Sequence, residues 1–449
     1  MNMNPVEIIK KMPGMRSLMH KFELQDDQFR TLEYENLVLA QELIDRRLLE
    51  KKRRGGKVNV LFVCHRPPVW GSLKSVYEAL KADDLFQVRI VAIPNKKQEP
   101  GLGLAHEHYE SEGAEAFWQG EDCIRGYDYE TGRWLDLRML KPDYVFFQQP
   151  YNLTKPPLYQ SGVVSKFAKL AYVAYFSPIV LDDTYEESTP LDFLKDLSFF
   201  FTQHEDDHAF ISKRYRALDL QLCKLVNAGN PRFDSMEQYA SQACEIWNRP
   251  DSFKILWTPR WTTNEGNCHF FDYRDQLLGY CEARQDVELV FRPHPQAFKE
   301  WNATGEMRLE EQERFRERFK GGNLHLDESP NYYSLLFSTD CLITDRSTLI
   351  IDYLVTRKPV IYCTSNGHHD ALLNGVDQAV YRAGNWEELN ALLEALRRGE
   401  DPMKERRERI VRDYLKVGER KAGERIREVL RADALKEPSD EAEIMEGWI

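Results

Sequence analysis

Between Val58 and Cys363, short apolar runs of strand length alternate with segments whose apolar residues keep helical spacing. VNVLFVCH (58–65) reads as a strand, SLKSVYEALKA beyond the turn RPPVWG as a helix, and QVRIVAIP (87–94) as the next strand. This alternation builds a parallel sheet covered by helices. Strand-like runs return at DYVFFQQP (143–150), AKLAYVAYF (168–176) and LSFFFTQ (197–203), and a helical connector, SMEQYASQACEIWNR, follows Asp234. A second series opens at FKILWTPRWT (253–262). It continues through VELVFRPHP (287–295), NLHLD (323–327), CLITD (341–345) and PVIYC (359–363). Ser329 as cap and Pro330 at the first position should open a helix over PNYYSLLFS. Strands this apolar, interleaved with helices, describe doubly wound sheets. The expected fold is therefore α/β, two Rossmann-like lobes with a cleft between them.

Residues 1–57 follow another pattern. Val6 to Phe22 mixes apolar and basic residues, and Pro13-Gly14 interrupts any single helix there. From Phe22 to Glu50, Phe22, Phe29, Asn36 and Leu43 keep a seven-residue repeat, with Leu32 and Leu39 at the other seam position. An Asn in such a seam specifies a two-stranded coiled coil, so residues 22–50 are a candidate homo-oligomer contact. A helix packed on its own domain fits equally. The basic run RRLLEKKRRGGK (46–57) suits a solvated linker or peripheral contact with an anionic membrane surface. The expected divisions are a helical extension (1–57), lobes at 58–235 and 250–385, and charged helices with a polar tail (386–449).

The chain has 449 residues, 42% of them hydrophobic, enough for two cores. Lys and Arg total 61 against 73 Asp and Glu, a formal net charge of −12. Such a balance argues against general nucleic-acid binding, which neutralises phosphates with positive charge. The eight cysteines form no CxxC pair, and several sit in apolar runs, as buried thiols of a reducing compartment do. No run reaches the roughly 20 apolar residues of a spanning helix, and no signal peptide is evident, so the expected location is cytoplasmic.

Ligands of parallel sheets bind beyond the carboxyl ends of the strands, and three motifs of the second lobe lie there. In Arg292-Pro293-His294-Pro295 the prolines restrict the backbone on both sides of an imidazole. Arg292 can hold a phosphate through two parallel hydrogen bonds, and His294 can balance charge on a departing phosphate or move a proton. A structural turn is the plainer reading. Asp345-Arg346-Ser347-Thr348 joins a strand to the expected helix TLIIDYLV, where hydroxyls and free amides make an anion site. An ordinary N-cap by Ser347 or Asp345 is compatible with that role. Arg260, in Trp257-Thr258-Pro259-Arg260, either reaches the cleft or forms a surface ion pair.

Together these segments resemble the CDP-glycerol glycerophosphotransferase family, the teichoic-acid primases and polymerases. Gly229-Asn230-Pro231-Arg232-Phe233-Asp234 is similar to its G-x-P-R-x-D segment, WTPRWT to Y-x-P-T-[WF]-R, RPHP to R-x-H-P, and LITDRSTLIIDYL to LITDYSSxxFDY. The first lobe resembles the family more loosely, through LFVCHRPPVWGSLKSVYEAL and FFQQPYN. The resemblance implies a GT-B fold, a CDP-linked polyol donor in the second lobe and a glycan hydroxyl acceptor in the first. It implies His294 as the catalytic group, with Arg292, Ser347, Thr348, Asp345, Arg260 and Arg232 around the donor diphosphate. It implies no cofactor and no metal.

Two departures stand out. The family's first-lobe H-G-x-P-x-K segment, whose His is the expected base, is replaced by YVAYFSPI (172–179), and Arg346 replaces an aromatic residue. His65, Asp182 and Asp183 are the substitute candidates for the acceptor-side base, and a core or loop role fits each at least as well. A GT-B glycosyltransferase using a nucleotide sugar and a non-catalytic oligomeric scaffold are the alternatives. His204, Glu205 and His208 fit H-E-x-x-H but have no evident third ligand, Gly101-Leu102-Gly103 lacks a strand context, and His368-His369 lies in a loop.

Overall fold

The computed structural model describes residues 15–98, 107–109, 114–120, 122–181, 183–217, 222–263, 268–329, 332–364, 372–418 and 420–436. Gly101, Gly103, Asp182, Pro330, His368, His369 and the polar tail from 437 lie outside them.

A 40-residue helix, α1 (Met15–Arg54), leads into the first sheet. Its strands are β1 (Val58–Cys64), β2 (Phe86–Ala92), β3 (Cys123–Arg125), β4 (Tyr144–Phe147), β5 (Lys169–Val173), β6 (Phe199–Thr202) and β7 (Lys224–Asn227). They pair in the order β7-β6-β5-β4-β1-β2-β3, all parallel. Alternation along β1 supplies two cores: Val60, Phe62 and Cys64 face the side of helix α2 (Gly71–Lys81), Leu61 and Val63 the other. Helix α3 (Glu205–Ala217) links β6 to β7.

The second sheet comprises β8 (Phe253–Thr258), β9 (Val287–Phe291), β10 (Leu324–Leu326), β11 (Cys341–Thr344), β12 (Val360–Cys363) and β13 (Tyr381–Ala383). Its order is β10-β9-β8-β11-β12-β13, again all parallel, with helix α4 (Phe270–Glu282) after β8 and the short α5 (Leu349–Leu354) after β11. Three short edge strands, β3, β7 and β13, were absent from the expected set. Their sequences, CIR, KLVN and YRA, each hold a charged residue and at most two apolar residues in a row, so no apolar run marks them.

Two local expectations need correcting. The connector after Asp234 is not an α-helix but two 3₁₀ turns, Phe233–Ser235 and Glu237–Ser241. The helix expected to open at Ser329 spans Tyr333–Ser338, with Tyr332 before it.

The last helix, α6 (Ala422–Leu435), returns to the first lobe, where Ile426, Val429, Leu430 and Ala434 join the core of β1 and α2. Asp234 caps it, accepting from the N–H groups of Ala422 and Gly423 at 2.9 Å each. At its other end Asp433 is buried among Tyr144 (2.6 Å) and Lys169 (2.7 Å). α1 is fastened nearby: Leu37, Ala40, Ile44 and Leu48 are buried, and Arg47 and Lys51 both bind the buried Asp143. Lys52 reaches the carbonyl of Leu435 at 2.7 Å. Part of the basic run is thus engaged with the protein itself. Among the described residues, no helix is long and apolar enough to cross a membrane.

Candidate functional site

A cavity of about 680 Å³ opens between the carboxyl ends of the two sheets. The second lobe contributes residues just beyond β8 (Pro259, Arg260, Trp261), β9 (Arg292 to Pro295) and β11 (Arg346 to Thr348). These strands are neighbours in the sheet, so their tips converge. The first lobe supplies an opposite wall of Phe176, Pro178, Ile179, Val180 and Tyr185.

His294 is exposed and stacks on the Trp261 indole, with ring centroids 5.1 Å apart and planes 15° apart. Trp261 is itself fixed, because the Trp301 indole N–H donates to its carbonyl at 2.9 Å. The backbone N–H of Gln296 donates to His294 Nδ1 at 3.3 Å, which puts the proton of the neutral ring on Nε2. Partial burial, and secondarily the charge of Arg260, hold the His294 pKa below the ordinary histidine value. The ring is a neutral N–H donor at the cavity.

Arg292 lines the cavity, but its guanidinium is held from behind. One terminal nitrogen pairs with Asp327, the other donates to the Ser329 carbonyl at 2.9 Å, and the plane lies 4.6 Å over Tyr332. The expected two-bond grip on a phosphate therefore requires Arg292 to exchange a partner; in this arrangement it supplies charge. Arg260 is braced as well, its Nε donating to Thr262 (2.8 Å) and an Nη to the Arg346 carbonyl (3.2 Å). Ser347 Oγ accepts from the Leu349 N–H at 3.2 Å, so its own hydroxyl proton is left to donate. Thr348, exposed, precedes α5 without a side-chain capping bond.

Three sequence candidates turn out to be architectural. Asp345 is buried; one oxygen accepts from the backbone N–H groups of Arg260 (2.8 Å) and His269 (3.0 Å), the other meets His269 Nδ1 at 2.9 Å. It orders the loop that carries Arg260 and Trp261, and it does not line the cavity. Arg232 forms a buried ion pair with Asp352 of α5 and reaches Ser177 of the first lobe at 3.4 Å. A guanidinium so engaged clamps the lobes together. His65 is buried, its Nε2 3.0 Å from Gln149 Oε1, and burial lowers its pKa to about 4. It is sealed away from the cavity. Asp183 starts a short helix, Asp183–Glu187.

The H-E-x-x-H match is also explained. His204 precedes α3 rather than lying on it, and its Nδ1 accepts from the Asp207 N–H (3.1 Å) and meets Tyr414 Oη (3.1 Å). His208 faces Thr202 at 3.2 Å. Among the described residues, no group of three or more His, Cys, Asp or Glu is arranged to hold a metal ion.

Sequence reasoning overlooked Trp261, Asp327 and His269. Trp261 adjoins Arg260 in a motif already singled out, and Asp327 ends NLHLD beside the RPHP strand, a signal of position alone.

Residues 211–431 match the family model described as CDP-Glycerol:Poly(glycerophosphate) glycerophosphotransferase. Among solved structures, the wall teichoic acid polymerase TagF aligns with a TM-score of 0.52 at 15% identity, over 92% of this chain and 98% of that one. S. aureus MnaA, solved with UDP, aligns at 0.54 and 13%, over 85% and 99%. UDP-GlcNAc 2-epimerase from Neisseria meningitidis, bound to UDP-GlcNAc, aligns at 0.54 and 12%, over 84% and 100%. These likenesses show the fold, which is GT-B. No curated protein matches the chain in sequence.

Proposed function

We propose that this protein, whose residues 211–431 match the CDP-glycerol:poly(glycerophosphate) glycerophosphotransferase family, transfers a polyol phosphate, glycerol or ribitol phosphate, from a CDP-linked donor to a hydroxyl of a cell-surface glycan or teichoic-acid-like acceptor. The observation that carries this reading is the convergence of His294, Arg292, Arg260, Ser347 and Thr348 on one cavity between the lobes.

In the proposed reaction the acceptor oxygen bonds to the phosphorus that bears the polyol. The bond from that phosphorus to the bridging oxygen breaks, and CMP leaves with the electron pair. Nε2–H of His294 donates to the departing phosphate, while Arg292 and Arg260 offset its growing charge. The Ser347 hydroxyl and Thr348 hold the non-bridging oxygens. Much of the catalysis then lies in positioning and in fixed charge, as in phosphoryl transfer generally.

The apolar wall opposite supplies no carboxylate or imidazole among its lining residues. Asp182 and Asp183 fall in the chain between two of them, Val180 and Tyr185, and this reading retains both as candidates for the acceptor-side base. A CDP-linked donor is water-soluble and a glycan acceptor is membrane-attached, so the reaction belongs at the cytoplasmic face of the membrane.

Thermal shift tests the reading, since only ligands that bind the folded state raise its melting temperature. CDP-glycerol or CDP-ribitol should stabilise the protein more than UDP or UDP-GlcNAc does. Stabilisation by UDP-sugars alone would make it a glycosyltransferase, and no response to any nucleotide would leave a scaffold.

A further inference from the structure

Helix α1 has two apolar faces, and its own lobe covers only one. Leu37, Ala40, Ile44 and Leu48 are buried against the first lobe. Phe29, Leu32, Leu39 and Leu43 are 67%, 56%, 57% and 65% exposed, with the exposed Asn36 midway between them. Six of the twelve large apolar side chains exposed among the described residues lie on this one helix. The outward set falls on the two seam positions of a heptad repeat: Phe29, Asn36 and Leu43 on one, Leu32 and Leu39 on the other. Because the inward face is fastened by Arg47 and Lys51 to Asp143, α1 cannot roll to hide the stripe.

We propose that this stripe is a dimer interface whose occupant is α1 of a second copy of the chain, parallel and in register. Asn36 decides the partner and its direction. In a parallel pair it meets Asn36 of the second copy, and each amide satisfies the other. An antiparallel pair sets Asn36 against Leu39 and leaves a polar group unmatched. The exposed Glu35 and Glu42 beside the stripe would be repelled by an anionic lipid surface, which disfavours a membrane as the occupant. Arg46 takes the next seam position and ends the interface at Leu43. The interface lies on α1, apart from the residues that line the cavity, so the proposal stands independently of the reaction assigned there.

Sedimentation of the full chain over a concentration series tests it. The parent should reach twice the chain mass. Leu32→Glu with Leu39→Glu should hold it at the single-chain mass with its melting temperature and nucleotide response kept, since both side chains are more than half exposed. Leu39→Cys should cross-link to itself under mild oxidation, beyond any background shown by the parent. A parent that stays at single-chain mass overturns the proposal, as does a dimer that survives the double substitution. Failure of Leu39→Cys to cross-link overturns the parallel register. Vesicle binding lost with the double substitution, by a parent of single-chain mass, would give the stripe to lipid instead.

Discussion

The Trp261 indole lies nearly parallel to the His294 imidazole, 5.1 Å away and on the next strand tip of the same sheet. The indole is anchored through its carbonyl, so it fixes the plane in which His294 presents Nε2–H to the cavity. His294→Ala should lower turnover of a CDP-linked donor by roughly 10²–10³-fold, the usual worth of one fixed hydrogen-bond donor to a developing negative charge. Trp261→Ala should cost kcat about fivefold, in line with ~1 kcal/mol for an aromatic stack, while the KM for donor changes less. Steady-state rates of CMP release check both.

Arg232 and Asp352 predict a stability effect. Removing one partner strands a buried charge, at a cost of about 3–5 kcal/mol. Arg232→Ala should therefore lower the melting temperature strongly, whereas donor affinity per folded molecule should hold. Calorimetry paired with a binding isotherm separates the two, and a variant with normal melting but weak donor binding would return Arg232 to the site.

His65 predicts a pH dependence. Burial keeps its folded-state pKa at about 4, against an ordinary value of 6.5. Between those values the unfolded chain takes a proton that the native state refuses, so stability falls as pH drops from 6.5 towards 4. The full effect is about 3 kcal/mol, at ~1.4 kcal/mol per pH unit. His65→Gln should flatten this part of the melting-temperature profile. Buried His204 should leave a residual slope of the same sign.

Gly423 tests the docking of α6. A Cβ there would come within 2.5 Å of the Ser75 carbonyl oxygen on α2, so Gly423→Ala must push the two helices apart. Overpacking of this kind costs about 1–3 kcal/mol. Hydrogen exchange should show α6 opening more readily in the variant, ahead of the second sheet.

The strands and the strand-tip motifs were legible because their signals are local. An apolar run bounded by turns marks a buried strand, and RPHP or DRST falls at its carboxyl end whatever the rest of the chain does. The heptad stripe of α1 was legible too, though its buried face, built on Leu37, Ala40, Ile44 and Leu48, was not separable from it. The partners of Arg232, Asp345 and His65 were not legible, for a common reason. A polar residue beside a motif looks the same in sequence whether it turns to the cavity or into the protein.

The sequence alone thus determined two parallel α/β sheets, the residues at their carboxyl ends and the family to which those motifs point. Only the tertiary structure decided which polar groups serve the cavity and which hold the lobes. Arg232 finds Asp352 across 120 residues, and Tyr144 finds Asp433 across 289. Apolar periodicity is fixed by the backbone geometry of one element, whereas a buried charge needs a partner, and any part of the chain can supply it.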